Sequence, residues 1–189
     1  MKLISASLIA LAFAANSAFA AGTAPAAPAT PAAPMTAPTQ MHCKAGEVVK
    51  SVKKKGKMMK TCVKATAGII PDNELYAQGY LLAKTGEYDW ALSAFNAMIN
   101  KQTPETLTMI GYSNRKAGRL EIAVSYYDQA LAMQPDYVKA REYLGEGYVA
   151  AGRVDLAKLQ LAEIAKRAGT TSEEYIDLSK AISGGAVNL

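Results

Sequence analysis

Three short glycine-containing breaks, at Gly86, Gly118 and Gly152, constrain this chain most, because the residues around them recur in register. Gly79, Gly111 and Gly145 each lie seven residues before a break, and Ala91, Ala123 and Ala157 each lie five residues after one. Phe95, Tyr127 and Leu161 follow four residues later, then Met98, Ala130 and Ile164. The second and third units are 34 residues apart, and the first is two residues shorter. Apolar residues at steps of three and four predict helices on both sides of each break, from Pro71 to the C-terminus. Each unit is then two antiparallel helices, a glycine in the first and an alanine in the second letting the backbones approach. The large residue at Phe95, Tyr127 or Leu161 is expected to fill the gap to the next unit. One such pair cannot cover its own apolar face, so the units must stack.

On these residues, the region 72–169 resembles the tetratricopeptide repeat family. The second unit, with Leu107, Ile110, Gly111, Ala123, Tyr127, Ala130 and Pro135, carries the pattern best. Three positions depart from it: Gln78 and Arg141 replace large apolar residues, and Asn114 replaces an aromatic. The resemblance implies an all-α superhelix of three helix pairs whose first helices line a concave groove. It places Tyr76, Tyr80, Lys84, Thr108, Tyr112, Arg115, Glu142 and Glu146 on that groove. Tyr80 and Tyr112 each follow a packing glycine by one position, so they are expected to form one exposed aromatic platform, with Arg115 beside it to hold a carboxylate. Such a surface suits a protein or peptide partner of mixed charge. It does not resemble the family's carboxylate clamp, which has Lys and Asn where Tyr76 and Tyr80 stand.

After the repeats, residues 170–183 read as a terminal capping helix. Thr170 or Thr171 is the expected cap, Glu173 and Glu174 lie in the first turn, and Tyr175, Ile176, Leu178, Ala181 and Ile182 form the buried stripe. Gly184-Gly185 should end it, and Ala186 to Leu189 should fray.

The N-terminal side is of a different kind. Met1-Lys2, the apolar stretch Leu3–Phe13 and the small residues of Ala18-Phe19-Ala20 make residues 1–20 a secretory signal. Residues 21–40 are almost wholly Ala, Pro and Thr, with Pro25, Pro28, Pro31 and Pro34 at every third position, a polyproline-type linker. No later segment approaches the ~18 apolar residues of a membrane span. The expected location is periplasmic or secreted, in a Gram-negative type of envelope, which removes the nucleic-acid reading that a formal charge of +5 invites.

Residues 41–64 carry eight Lys against Glu47 alone, a balance of +7, whereas residues 72–189 carry 12 basic and 15 acidic side chains, a balance of −3. Val48, Val49, Val52, Thr61 and Val63 around Lys55-Gly56 predict a β-hairpin. The pair Cys43 and Cys62 is expected to be bridged in an oxidising compartment. A two-residue turn places Val49 opposite Cys62, so Cys43 must reach back from a lead-in bent at Ala45-Gly46. A metal site would need more ligands than His42, the only histidine, can add.

The expected fold is therefore all-α, three helix pairs with a C-terminal capping helix, preceded by a small disulfide-stapled hairpin. No catalytic set stands up: the repeats contain no His, and the glycines punctuate and pack. No cofactor is expected, and the function expected is that of an adaptor or scaffold. The rival reading gives the function to the hairpin, with Lys50, Lys53, Lys54, Lys55, Lys57 and Lys60 contacting anionic lipid or glycan. The processed N-terminus should be Ala21. Intact-mass measurement of the exported product checks it, and a product still carrying Met1-Lys2 would overturn the localisation.

Overall fold

The computed structural model describes residues 41, 43–44 and 46–185. The signal 1–20, the linker 21–40, His42, Ala45 and the tail 186–189 lie outside the described residues. The chain runs β1 (Glu47–Lys54), β2 (Lys57–Lys64), α1 (Asp72–Lys84), α2 (Tyr88–Asn96), α3 (Pro104–Lys116), α4 (Leu120–Met133), α5 (Val138–Ala150), α6 (Val154–Ala168) and α7 (Glu173–Gly185). The first helices touch along one side, α1 on α3 and α3 on α5, whereas α2, α4 and α6 do not touch one another. Close contact inside and separation outside curve the stack, so α1, α3 and α5 line its concave side. α7 covers the last pair by packing on both α5 and α6.

Each break ends its helix in the same way. The amides of Gly86, Gly118 and Gly152 donate to Ala83, Arg115 and Val149, and those of Glu87, Arg119 and Arg153 reach back to Leu82, Asn114 and Tyr148. This paired closure uses carbonyls that the helix leaves free, and it requires a positive φ at the intervening residue. The three glycines have φ of 93°, 81° and 71°.

The packing glycines act differently from the sequence-based expectation. A Cβ at Gly79 would stand 2.6 Å from the ring of Phe95, and one at Gly111 would stand 2.6 Å from the ring of Tyr127. The aromatic thus seats on the glycine of its own unit, and Tyr127 in addition shares a core with Tyr143 and Leu144 of the next unit. In the third unit Leu161 is only half-buried, and Leu178 of α7 lies over Gly145 instead, 2.5 Å from where a Cβ would stand. The capping helix completes the pair that Leu161 leaves open.

Two caps also differ. Asp72 does not cap α1; its carboxylate accepts the amides of Ile99 (2.8 Å) and Asn100 (2.7 Å), tying the start of α1 to the connection after α2. The side chain of Ser172, not Thr170 or Thr171, accepts from the Tyr175 amide at the start of α7, and the helix runs through Gly184 to Gly185.

The hairpin has the expected register. Lys55 and Gly56 both have positive φ, the twist of a two-residue hairpin turn, and Val49 lies opposite Cys62. Cys43 and Cys62 are bridged, their Cα atoms 5.5 Å apart. The hairpin is not separate from the repeats, although no apolar run in the sequence joins them. Val48 and Ile70 are buried in the same core as Leu75, Ala91 and Phe95. Gln78 of α1 donates to the Val49 carbonyl (2.7 Å) and accepts from its amide (3.0 Å), so one side chain closes the outer edge of β1. The other departures also serve polar contacts. Asn114 donates to Ile110 and accepts from Arg119, while Arg141 donates to the Pro135 carbonyl and to Gln160.

Gly111→Ala should destabilise the fold by ~1–3 kcal/mol, because the rigid ring of Tyr127 cannot yield. Gly145→Ala should cost less, because the Leu178 side chain that crowds it, although buried, can change rotamer where an aromatic ring cannot. Thermal melts of both variants check this, and equal losses would overturn the ring-on-glycine account.

Candidate functional site

The concave face is built from helical spacing. Tyr76, Tyr80 and Lys84 are four apart on α1, so they form one stripe. Thr108, Tyr112 and Arg115 continue it on α3, and Lys139, Glu142, Tyr143 and Glu146 form the corresponding stripe on α5. The rings of Tyr76 and Tyr80 stack with centroids 6.3 Å apart, and Tyr76 also leans on Phe95 at 5.9 Å, which ties the surface to the core. Tyr112 meets Tyr143 at 5.0 Å. The Arg115 guanidinium lies 5.6 Å from the centres of both rings, Lys84 lies 5.1 Å over Tyr112, and Lys139 lies 5.8 Å over Tyr143. Cations and aromatic faces therefore alternate across three helices.

The predicted residues divide by exposure. Tyr80 is 44% exposed and Lys84 is exposed. Tyr76 and Glu146 are half-buried. Tyr112 is only 9% exposed, Thr108 is buried, and Glu142 is 3% exposed. Tyr112 is thus no open anchor: α5 leans against it, and its ring contact is Tyr143. Tyr80 stacks on Tyr76 within its own helix. Arg115 is not waiting for a carboxylate, because it already pairs with Glu146 at 2.6 Å. Glu142 is buried against α7 and pairs with Lys139 at 2.8 Å, and Lys139 also holds Glu174 of α7 at 3.2 Å.

Burial pushes the Glu142 carboxyl up to about 7; Lys139 pulls it down, while Glu146 and Asp177 add to the rise. Burial works against the charge of Lys139, but its bonds to Glu142 and Glu174 prevail and raise it above the usual lysine range. Burial likewise opposes the Arg115 charge, which Tyr127 and Glu146 restore.

Sequence reasoning missed Lys139, Tyr143 and Glu174. A signal for the first two was present: positions 139, 142–143 and 146 share a helical face at steps of three and four. In the third unit the position after the packing glycine is Glu146, and the aromatic ring lies one turn earlier, at Tyr143. Glu174 comes from the capping helix, beyond the repeat register. A cleft of about 360 Å³ lies outside the groove, between β1 and α1, walled by Val49, Ala77, Leu81 and Trp90.

Residues 115–182 match the family model described as tetratricopeptide repeat. No curated protein sequence matches the chain. Among solved structures, the chain is similar to the first such domain of Spaghetti (RPAP3) bound to an HSP90 peptide, at 19% identity and a TM-score of 0.53, covering 61% of this chain and 93% of that one. It is also similar to the Sgt2 domain from Aspergillus fumigatus, at 19% identity and a TM-score of 0.54, covering 65% and 83%. PcrH in complex with the chaperone-binding region of PopB gives 20% identity and a TM-score of 0.52, covering 63% and 98%.

Because the folded Glu142 carboxyl binds its proton more tightly than in the unfolded chain, its contribution to stability is full at low pH and is lost as pH rises from about 4.5 to about 7. Wild type should therefore lose stability relative to Glu142→Gln across that window and hold level above it. A carboxyl titration by NMR should place the midpoint near 7 and move higher in Lys139→Met. A midpoint in the ordinary carboxylate range would contradict the burial.

Proposed function

We propose, from the tetratricopeptide repeats that residues 115–182 carry, that this chain is an exported adaptor holding a segment of a protein partner along the α1–α3–α5 face. The carrying observation is an imbalance in that face. Its inner charges are already matched, Arg115 by Glu146 and Lys139 by Glu142 and Glu174. Its open end offers exposed Tyr80, half-buried Tyr76 and Lys84, which sits over Tyr112 and has no carboxylate within ion-pair distance among the described residues. A fitting partner places an apolar side chain on the stacked tyrosines and an acidic group at Lys84, in an extended peptide or a helix. Two of the similar folds were solved holding a peptide or a chaperone-binding region, which supports this mode of use. The fold is a scaffold and typically non-catalytic, which supports reading the groove as a binding surface.

Export rests on the signal at residues 1–20 and agrees with the Cys43–Cys62 bridge, since disulfides persist in oxidising compartments. We place the protein in the periplasm or outside the cell of a Gram-negative type of bacterium. Among the described residues no helix is long and apolar enough to cross a membrane.

A photo-crosslinker at Tyr80 should trap one dominant partner from envelope extract, and the same group at Leu159, on the outer face of α6, should not. Tyr80→Ala with Lys84→Ala should weaken the isolated complex at least tenfold, as loss of an aromatic anchor commonly does. It should change stability by under about 0.5 kcal/mol per site, because both side chains are exposed. Undiminished binding by the double variant would overturn the groove reading.

A further inference from the structure

The two edges of the hairpin are not alike. With Lys54 opposite Lys57 across the turn, the pairs 52/59, 50/61 and 48/63 exchange hydrogen bonds, and residues 49, 51 and 53 on β1 and 58, 60 and 62 on β2 turn their amides outward. The β1 edge is closed by Gln78 of α1 at Val49. The helices pack on β1 and not on β2, and along the β2 edge Lys57 to Thr61 are exposed throughout, with the Lys60 side chain at the mouth of the cleft beside α1. Met58 is 67% exposed and Met59 51%. Successive strand side chains point to opposite faces, so the two methionines straddle this edge, one on each side. Lys53 lies opposite Met58 and Lys60 shares its face; Lys57 shares the face of Met59.

We propose that the β2 edge lies on an anionic lipid bilayer, with its lysines on headgroup phosphates and Met58 and Met59 entering the boundary with the acyl chains. The charge of residues 41–64, +7, supplies the attraction. The methionines distinguish the ligand. A soluble polyanion would engage the lysines and leave two thioether side chains in water, whereas a bilayer uses both kinds of group. The outward amides of Met58 and Lys60 meet hydrated headgroups, where they find acceptors. A second copy is a poor occupant, since the symmetric antiparallel pairing of two β2 edges about their middle sets Lys60 against its own copy, between strands that each carry Lys57 and Lys64 as well. Because α1 sits at the opposite edge, the helical array stands away from the lipid with its groove open. The proposal does not depend on the groove reading.

The test uses the processed chain from Ala21, so that the apolar stretch Leu3–Phe13 contributes nothing. Sedimentation with phosphatidylglycerol–phosphatidylcholine vesicles should capture it, pure phosphatidylcholine vesicles should not, and capture should fall steeply with salt. Replacing Lys53, Lys57 and Lys60 with Gln should weaken capture by about 100-fold. Met58→Ser with Met59→Ser should weaken it by roughly tenfold, while leaving binding to dextran sulfate unchanged. All five side chains are exposed, so circular dichroism melts should match wild type, and Tyr80→Ala should bind vesicles normally. Absence of capture at low salt, or equal capture of the methionine variant and wild type, would overturn the proposal. The second outcome would assign the lysines to a soluble polyanion such as an acidic glycan.

Discussion

The arrangement depends on an aromatic ring resting on bare backbone. At Gly79 and Gly111 there is no room for a Cβ, since Phe95 and Tyr127 occupy that place. This contact sets how closely the two helices of a unit approach. The separation of the pair fixes how the next unit stacks: α2 packs on α3 and α4 on α5, while only the first helices also touch one another, which leaves their side concave. The same rings support that face directly. Tyr76 of the groove leans on Phe95, and Tyr127 beneath α3 favours the charge of Arg115. The residues that define the repeat thus also hold the groove's side chains in position.

A groove lined by partly buried charges would be costly if those charges were unmatched. Here Arg115 is sandwiched by Tyr112 and Tyr143 and paired with Glu146, and Lys139 links α5 to α7 through two carboxylates. These contacts hold the side chains of the face in fixed rotamers. They also mean that the buried middle of the groove acts as a rigid backing. Charge and aromatic surface are left over only at its exposed rim on α1, at Tyr80 and Lys84.

Much of the architecture was legible because it is periodic. The breaks at Gly86, Gly118 and Gly152 specify their own positive-φ closures, and the lysine-rich segment with Lys55-Gly56 specifies a hairpin register down to Val49 opposite Cys62. What the sequence did not show is what one element does to another. Periodicity marks Phe95 and Tyr127 as buried but does not say which neighbour they cover. Position after the packing glycine marks Tyr112 as facing the groove, yet burial depends on Tyr143 arriving from the next unit. The three departures from the repeat pattern, Gln78, Asn114 and Arg141, read as imperfections until their carbonyl, amide and guanidinium partners are seen.

Gln78 shows why such a departure is retained at an end of the array. A stacked array must cover its first and last apolar faces. At the C-terminal end α7 does so with apolar matter, Leu178 seated on Gly145. At the N-terminal end the cover is a two-stranded hairpin, an element that is marginal in water by itself and presents unpaired backbone at its edges. A large apolar side chain at position 78 would leave the Val49 amide and carbonyl without partners beside the helix. The glutamine amide matches both, and Val48 next to it enters the core. Polar closure by Gln78 at Val49, burial of Val48, and the Cys43–Cys62 bridge across from Val49 then make the hairpin a fixed extension of α1. The helix that carries Gln78 is also the one that carries Tyr80 and Lys84, so the basic strand edge and the open rim of the groove keep a constant geometry. Whatever the hairpin touches, the groove is held at a set position relative to it.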